Sequence, residues 1–371
     1  MANTWRALTR LAPVIVGTIG LVILLLAAQS FVASGGFAYD YEAYDLAARR
    51  IAAGTALYPP GLAEAYNSGA YAGLYLYPPP LAIALVPMTV LTPDQAALAW
   101  LGLRIALLVL GVALLPISAL ARAAVLLVAA ISFPIWYDLN LGNLSVILFA
   151  LSAVIWRFRN RAAGSIALAA AGVLRYPFGL VLGAWLLARR WRAAAWTIAA
   201  GLVIGALTLP VVGIQGWLDY LGTLSGLREV SAGEHNLSFA TTAHALGLPG
   251  ADGVWVILGI AIAGLATAWA ALRRDGETAL VVSLTGTILF FPFFHPHDLV
   301  QLLIPAAFLA GRGQWWGLVL PLLGWAPGEL MAPIVAAATL LPLVPPRFAS
   351  LRRGAEPHGA AVGFGTGPTR P

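Results

Sequence analysis

The run Leu11–Ala33, LAPVIVGTIGLVILLLAAQSFVA, decides the fold class of this 371-residue chain. It contains no charged residue. A helix crosses about 30 Å of hydrocarbon with about 20 apolar residues, because each residue adds about 1.5 Å. The run is too long for the core of a signal peptide and is followed by no convincing cleavage site. The sequence therefore predicts a retained transmembrane helix at this position.

The rest of the chain has the same character. Hydrophobic residues make up 60% of the sequence, charged residues 10%, and the mean hydropathy is +0.86. The apolar residues occur in solid blocks and do not alternate with polar ones, which excludes a transmembrane barrel. The net charge of +6 comes from Arg residues at the ends of apolar runs, a distribution that indicates membrane topology and not nucleic-acid binding. We expect an all-α polytopic protein with about 12 transmembrane helices.

Charge and composition also predict the topology. Arg6 and Arg10 precede the first run, and the cluster Arg189–Arg192 is the strongest cytoplasmic signal, so both termini are predicted to be cytoplasmic. Residues 1–346 form one predicted membrane domain with extracytoplasmic loops near 34–80 and 215–253. Residues 347–371, rich in Gly and Pro, are predicted to be a disordered cytoplasmic tail. Cysteine is absent, which excludes disulfides and thiolate chemistry.

Three local signals refine the helices. Thr92 is a predicted N-cap followed by Pro93 at the first helical position. Arg104 lies inside an apolar run and must face protein, water or headgroups. Arg175-Tyr176-Pro177 interrupts residues 162–187, which predicts either one kinked span or two short helices that meet at Arg175. We favour two crossings here and none for the short run 81–91, because every Arg cluster then lies inside.

Polar chemistry is concentrated in three segments that this topology places outside. The first is the loop Gly35–Pro80, which contains Asp40. The second contains Glu234-His235-Asn236, and the third is His295-Pro296-His297-Asp298. Together these segments could supply a base, polar ligands and cations at one membrane face.

Several short motifs occur in a characteristic order. They are Asp40–Arg50, Gly54, Leu57-Tyr58, Tyr77-Pro78-Pro79, Leu141-Gly142-Asn143, Arg175-Tyr176-Pro177 and Pro292–Asp298. This order resembles the polyprenyl-phosphate-mannose-dependent α-mannosyltransferases of the GT-C superfamily, and the similarity covers most of residues 37–192 in pattern and then isolated motifs. Two positions depart from the family pattern: Asn143 stands where Gln is frequent, and Arg175 where Lys is frequent. Arg keeps the charge of Lys but not its geometry.

The resemblance implies a cell-membrane glycosyltransferase that moves a sugar, most simply mannose, from a polyprenyl phosphate donor to a glycolipid or polysaccharide hydroxyl, with inversion. Asp40 matches the acidic base of the family's first outer loop. A positioned carboxylate that takes the acceptor proton accelerates such a step by about 10²–10⁴-fold. The candidates for contact with donor phosphate or acceptor are Arg175, His295, His297, Asn143, Tyr44, His235 and Asn236.

Other interpretations stay open. Asp40 could simply cap the helix that follows it. Arg49 and Arg50 lie on a predicted interfacial helix whose Tyr44, Ala48 and Ile51 share a face, which favours contact of the two arginines with lipid headgroups. The His295-x-His297 pair is a weak metal signal, so we expect no metal and no cofactor. A polyprenyl-phosphate-arabinose-dependent arabinofuranosyltransferase would fit the same loops. A lipid-linked sugar transporter or flippase is the alternative from another functional class.

Overall fold

A computed structural model describes residues 2–70, 72–227, 236–292 and 294–344. The described residues form sixteen α-helices and six short 3-10 helices, and no strand occurs among them. The all-α prediction is confirmed.

The helices follow one another with short connections. The first eight are α1 Ala2–Ser34, α2 Tyr39–Ala52, α3 Leu62–Asn67, α4 Pro79–Leu85, α5 Pro93–Leu114, α6 Ala119–Ile131, α7 Phe133–Leu141 and α8 Ser145–Arg157. The second eight are α9 Ala162–Leu174, α10 Gly179–Leu187, α11 Trp191–Gly226, α12 Phe239–Ala245, α13 Asp252–Arg273, α14 Gly276–Gly286, α15 Leu303–Gly311 and α16 Met331–Leu340. The 3-10 helices are Val86–Val90, Tyr176–Phe178, Pro296–Leu302, Trp315–Trp325, Gly328–Leu330 and Leu341–Leu343.

Four helices within the described ranges are long and apolar enough to cross a membrane. They are Leu11–Ser34 of α1, and the whole of α5, α11 and α13. A fifth span is possible if α6 and α7, bent by 64° at Ser132, count as one. The predicted count of about 12 is not confirmed. The reason is length: α8 and α9 have 13 residues each, which at about 1.5 Å per residue reach only about 20 Å.

The short helices α14 and α15 lie in the interior, and the long helices α11 and α13 lie at the periphery. Every residue of α14 from Thr278 to Gly286, and of α15 from Leu303 to Ala310, is buried. By contrast, only 11% of the most apolar window of α11 and 28% of that of α13 is buried. A helix that is apolar on all sides belongs in a core or against lipid. The outer helices of this membrane protein therefore present apolar side chains such as Leu207 and Leu265 to the bilayer.

Local sequence signals account for several helix ends. Thr92 accepts a hydrogen bond from the Gln95 backbone N–H and completes a capping box, which confirms it as the N-cap of α5. The segment 162–187 divides at Arg175 into the two short helices α9 and α10, which is one of the two forms that the sequence predicts. The long helix α11 is broken at Gly213, whose φ is +64°, and continues as helix through part of the predicted loop 215–253.

The predicted loop 34–80 contains an ordered platform beside the main core. Helix α2 packs against α4, the 3-10 helix Val86–Val90 and α5. Tyr44 and Ala48, which share a face of α2, are buried in a cluster with Trp100 and Tyr75. The platform therefore holds α2 against the protein, and the first turn of α2 carries Asp40.

Candidate active site

Asp40 and Asn143 are in direct contact. The Asn143 amide nitrogen donates to Asp40 Oδ2 over 2.7 Å, and the same nitrogen lies 3.5 Å from the Tyr77 hydroxyl. Asp40 is partly exposed and lies in the first turn of α2, where the helix dipole favours a negative charge. Burial raises the pKa of Asp40 above its ordinary value, and the hydrogen bond from Asn143 acts in the opposite direction. A carboxylate whose pKa is raised is a stronger proton acceptor than an ordinary one.

The capping interpretation of Asp40 does not describe its contacts. Helix α2 begins at Tyr39, and its N-cap is Ala38, which makes no side-chain capping bond. Ala38 has φ of +70°, a backbone conformation that is unfavourable for a residue other than Gly. Its N–H donates to the Asn140 carbonyl over 2.6 Å, which ties the start of α2 to the end of α7. The side chain of Asp40 is directed to Asn143 and not to the helix terminus.

The turn that presents Asn143 depends on Gly142. Gly142 has φ of +86°, and a Cβ at this position would lie 2.8 Å from Cβ of Tyr41. Only glycine allows both this conformation and this close approach. The Trp100 indole N–H donates to the Gly142 carbonyl over 2.8 Å. The turn therefore lies against α2 and α5 at once.

A fully buried ion pair between Arg104 and Asp138 stabilises the same turn. Arg104 donates to the carbonyls of Asp138 and Leu139 over 2.6 and 2.8 Å, and lies 3.2 Å from the Asp138 carboxylate. The other oxygen of Asp138 accepts the Ser145 N–H over 3.0 Å. Arg104 thus satisfies carbonyls at the end of α7, while Asp138 satisfies a backbone donor at the start of α8. Arg104 therefore faces protein, which is one of the three environments that the sequence allows for it.

A second pair joins two distant segments. Both terminal nitrogens of Arg175 donate to Asp298, one to each carboxylate oxygen, and the second bond measures 3.0 Å. The guanidinium also lies 4.7 Å from the centroid of Phe291. Burial acts to raise the pKa of Asp298, but Arg175 together with smaller contributions from the two histidines and the His295 backbone N–H holds that pKa below its ordinary value. The partner of Arg175 is therefore a carboxylate that remains ionised.

Ser145 connects the two halves of the site. Its hydroxyl lies 3.4 Å from Asn143 Oδ1 and 3.4 Å from Asp298 Oδ1. A polar chain therefore runs from Asp40 through Asn143 and Ser145 to Asp298 and Arg175. The start of α2, the turn after α7 and the segment His295–Asp298, which are far apart in sequence, meet at this chain.

The two histidines of the turn occupy different surroundings. His295 is half-buried, and its backbone N–H donates to Asp298 Oδ2 over 3.0 Å. His297 is buried, stacks on Tyr137 with ring centroids 6.3 Å apart, and lies 3.6 Å from Asp298. Burial lowers the pKa of His297 to about 3, so its imidazole is neutral at physiological pH. His297 can contribute a neutral hydrogen-bonding group, but no positive charge.

A cleft open to solvent lies beside Arg175 and Asp298, with about 310 Å³ of space between its walls when open solvent is included. Its walls are largely apolar and include Phe178, Ile288 and Phe291. Gln301 also lines it: Ser152 donates to Gln301 Oε1 over 3.1 Å, and the buried Nε2 has no partner among the described residues. The cleft thus combines an apolar interior with a guanidinium and an amide donor. Pockets with few polar groups on apolar walls are typical ligand sites.

The remaining predicted site residues lie at different distances from this chain of contacts. Tyr44 is buried below Asp40, with its ring 5.2 Å from that of Tyr77, so it forms part of the platform. Asn236 is buried, and its side-chain oxygen accepts the Ser238 N–H over 3.0 Å. The adjacent Leu237 N–H donates to the Phe294 carbonyl, next to His295. His235 lies outside the described residues.

Sequence reasoning missed most of the supporting groups. Asp138, Ser145 and Gln301 are not among the predicted site residues, and Asp298 is predicted only as part of the polar segment His295–Asp298, without an assigned partner. The one usable signal was Arg104, because a charge within an apolar run requires a partner. Within the described ranges, no group of three or more His, Cys, Asp or Glu side chains converges in a way that could hold a metal ion.

Comparison with known families gives one match. The model of Glycosyltransferase family 87 matches residues 75–295, more than half of the chain. The match includes Asn143, Arg175 and His295, but begins after Asp40. Comparison with curated proteins and with solved structures finds no match.

Proposed function

Because this chain belongs to glycosyltransferase family 87, and so is a membrane glycosyltransferase that uses a sugar donor and an acceptor, we propose that it transfers mannose from a polyprenyl phosphate carrier to an acceptor hydroxyl outside the cytoplasm. The acceptor is a glycolipid or polysaccharide of the cell envelope. One observation carries the proposal: a partly exposed carboxylate, Asp40, is linked through Asn143 and Ser145 to a guanidinium at the mouth of an apolar cleft.

The proposed step is a single displacement. Asp40 takes the proton of the acceptor hydroxyl as its oxygen forms a bond to the anomeric carbon. The bond between that carbon and the phosphate oxygen breaks, and the electron pair leaves with the polyprenyl phosphate. The anomeric centre inverts. No charge is created overall, because the proton on Asp40 balances the negative charge that the phosphate gains.

The departing phosphate requires donors where its charge increases. Arg175 and Gln301 line the cleft, and His295 is bonded through its backbone N–H to Asp298, which also lines it. Asp298 compensates Arg175 in the substrate-free protein. We therefore expect the phosphate to use the remaining N–H groups of Arg175, since a guanidinium has five and Asp298 takes two.

The apolar walls favour a lipid-linked donor over a water-soluble nucleotide sugar. Burial of each CH₂ of an isoprenoid chain contributes about 0.8 kcal/mol. The polar groups of a nucleotide, by contrast, would find few hydrogen-bond partners on such walls. Nothing in the cleft distinguishes a mannosyl from an arabinosyl donor. The transporter alternative gains no support, because the family match is to a transferase.

The proposal can be tested with purified protein in lipid vesicles. Polyprenyl phosphate carrying labelled mannose or labelled arabinose is added with an acceptor extract from the cell envelope, and products are separated by mass. Labelled product from the mannosyl donor supports the proposal. Labelled product from the arabinosyl donor alone would show that the transferred sugar is arabinose and not mannose. Movement of the donor across the bilayer without product would show that the protein is a carrier and not an enzyme.

A further inference from the structure

Two neighbouring turns at the end of the helices opposite Asp40 carry a concentration of arginines. The arginines are Arg157, Arg159 and Arg161 between α8 and α9, and Arg189, Arg190 and Arg192 between α10 and the first turn of α11. The Arg190 guanidinium joins the two turns, because it donates to the Arg159 carbonyl and, over 2.7 Å, to the Asn160 side-chain oxygen. Together the turns form one basic patch.

The connecting helices separate the basic patch from the active site. Helix α8 begins next to Asn143 and ends at Arg157, and α9 begins after Arg161 and ends next to Arg175. Each of these helices has 13 residues, which at about 1.5 Å per residue span about 20 Å. The basic patch is therefore a different surface from the one that carries Asp40.

Most of the positive charge of the basic patch has no counter-charge. Arg159 lies 3.8 Å from the Glu277 carboxylate. Four of the other arginines are exposed and form no ion pair with a described residue: Arg157, Arg161, Arg189 and Arg192. Helix dipoles do not compensate them, because two helix C-termini and two helix N-termini meet here. Burial and the nearby charge of Arg159 both lower the pKa of Arg190. The basic patch therefore attracts anions.

One of these arginines occupies a position that favours glycine. The Arg189 N–H donates to the Leu186 carbonyl over 3.0 Å, and the Arg190 N–H to the Trp185 carbonyl over 2.8 Å, a pattern that ends many helices. The residue at the centre of this pattern has positive φ and is usually glycine, but Arg189 stands there with φ of +56°. The turn thus presents a charged side chain at the expense of backbone comfort.

Exposed apolar side chains adjoin the basic patch. Trp191 and Trp196 on α11 are 62% and 48% exposed, and Leu187 at the end of α10 is 44% exposed. Tryptophan is enriched where membrane helices leave the hydrocarbon. A ligand at this surface therefore meets cations at one end and apolar side chains beside them. An acidic phospholipid has both parts, whereas inorganic phosphate or nucleic acid would not use the apolar side chains.

We propose that the basic patch binds the headgroup of an acidic phospholipid, with its acyl chains along the exposed apolar side chains of α10 and α11. Guanidinium groups form strong paired hydrogen bonds with phosphate oxygens. Basic clusters at the ends of membrane helices attract acidic lipids, and each arginine near the surface contributes. This binding does not depend on the reaction proposed at Asp40, because the two surfaces lie at opposite ends of α8.

The test measures lipid binding to the full-length protein in detergent at physiological salt, by native mass spectrometry. Anionic phosphatidylglycerol is titrated and compared with zwitterionic phosphatidylcholine of the same chain length, and inorganic phosphate is the competitor without acyl chains. We expect tighter binding of phosphatidylglycerol than of phosphatidylcholine, and no displacement by an equal concentration of inorganic phosphate. Arg189→Gly combined with Arg192→Gln should weaken phosphatidylglycerol binding about 30-fold, the combined effect of two arginines. Glycine suits the backbone at this position, so the variant should keep its fold.

The matched control removes two arginines from the same end of the protein but outside the basic patch. Arg273→Gln combined with Arg274→Gln changes two exposed residues at the end of α13 and should leave the affinity near that of wild type. Equal losses in the two double variants would show that overall positive charge attracts the lipid, which overturns the proposal. Equal binding of the two phospholipids, displacement by inorganic phosphate, or no lipid binding by wild type would also overturn it.

Discussion

Asn143 and Asp40, separated by 103 positions, share a hydrogen bond of 2.7 Å from the amide nitrogen to the carboxylate. The bond joins the first turn of α2 to the turn between α7 and α8. Asn143 in turn accepts the Leu144 N–H over 2.6 Å, so its amide orientation is determined by its own backbone. Asn143, which orients the proposed base Asp40, is therefore itself oriented by the Leu144 backbone N–H.

Asp40→Asn should abolish most of the transfer activity and leave the fold intact. The change keeps the shape of the side chain but removes the base, which predicts a fall in rate of about 10²–10⁴-fold. Asp40 is partly exposed, so little stability should be lost. The measurement is the initial rate of transfer from a labelled donor. Glu42→Gln, on an exposed side chain of the same helix, is the control and should retain the wild-type rate. A wild-type rate for Asp40→Asn would exclude Asp40 as the base.

Asn143→Ala should move the acid limb of the pH–rate profile to higher pH. Transfer requires ionised Asp40, so activity falls as the pH drops through the pKa of this group, which burial places above 3.8. The hydrogen bond from Asn143 lowers that pKa, and its removal must raise it. The profile of kcat/KM against pH checks the shift. Tyr77→Phe, which removes only a contact of 3.5 Å, should shift the limb less. An acid limb that stays in place or moves to lower pH contradicts the assignment.

Gly142→Ala should lower both stability and activity. A Cβ would be 2.8 Å from Tyr41 Cβ, and φ of +86° costs a non-glycine residue about 1–2 kcal/mol before any clash is counted. The melting temperature in detergent and the transfer rate measure the two effects. Gly172→Ala is the matched control, because its Cβ would meet nothing within 4 Å and α9 is regular there. Equal melting temperatures for the two variants would contradict the role given to the turn.

Arg104→Met should destabilise the protein by about 3–5 kcal/mol, because it leaves the Asp138 carboxylate buried without a counter-charge. Arg104→Met combined with Asp138→Asn should recover part of the loss. The asparagine removes the unpaired charge and keeps the oxygen that accepts the Ser145 N–H. Thermal unfolding of the single and double variants measures the difference. Equal unfolding temperatures would show that the charge of Asp138 is not what Arg104 compensates.

Arg175→Gln should reduce both donor affinity and stability, since Asp298 loses its partner. Adding Asp298→Asn should restore stability, because it removes the unpaired carboxylate, but it should not restore donor binding. Melting temperature and KM for the donor are compared in wild type, the single variant and the double variant. If the double variant recovers the wild-type KM, Arg175 acts only as the structural partner of Asp298.

Composition and periodicity alone determined the class of this protein. Solid apolar runs such as Leu11–Ala33 predict membrane helices, because a helix satisfies its backbone hydrogen bonds within the run and a barrel strand would alternate apolar and polar residues. Local signals were equally direct: Thr92 caps α5 and the chain breaks at Arg175, since capping and proline effects act within a few residues. The count of crossings was not determined in this way, because short apolar helices surrounded by protein have the same composition as spans.

The tertiary structure decided which charges face one another. The sequence marked Asp40, Asn143 and Arg175 as candidates through the resemblance of their motifs, but no local pattern pairs Asp40 with Asn143 or Arg175 with Asp298, which are 123 positions apart. Such pairs form only where packing brings distant turns together and burial makes an unpaired charge costly. For the same physical reason, Tyr44 lies in the platform below the site, and Ser145 and Gln301, ordinary polar residues in sequence, contribute to its centre.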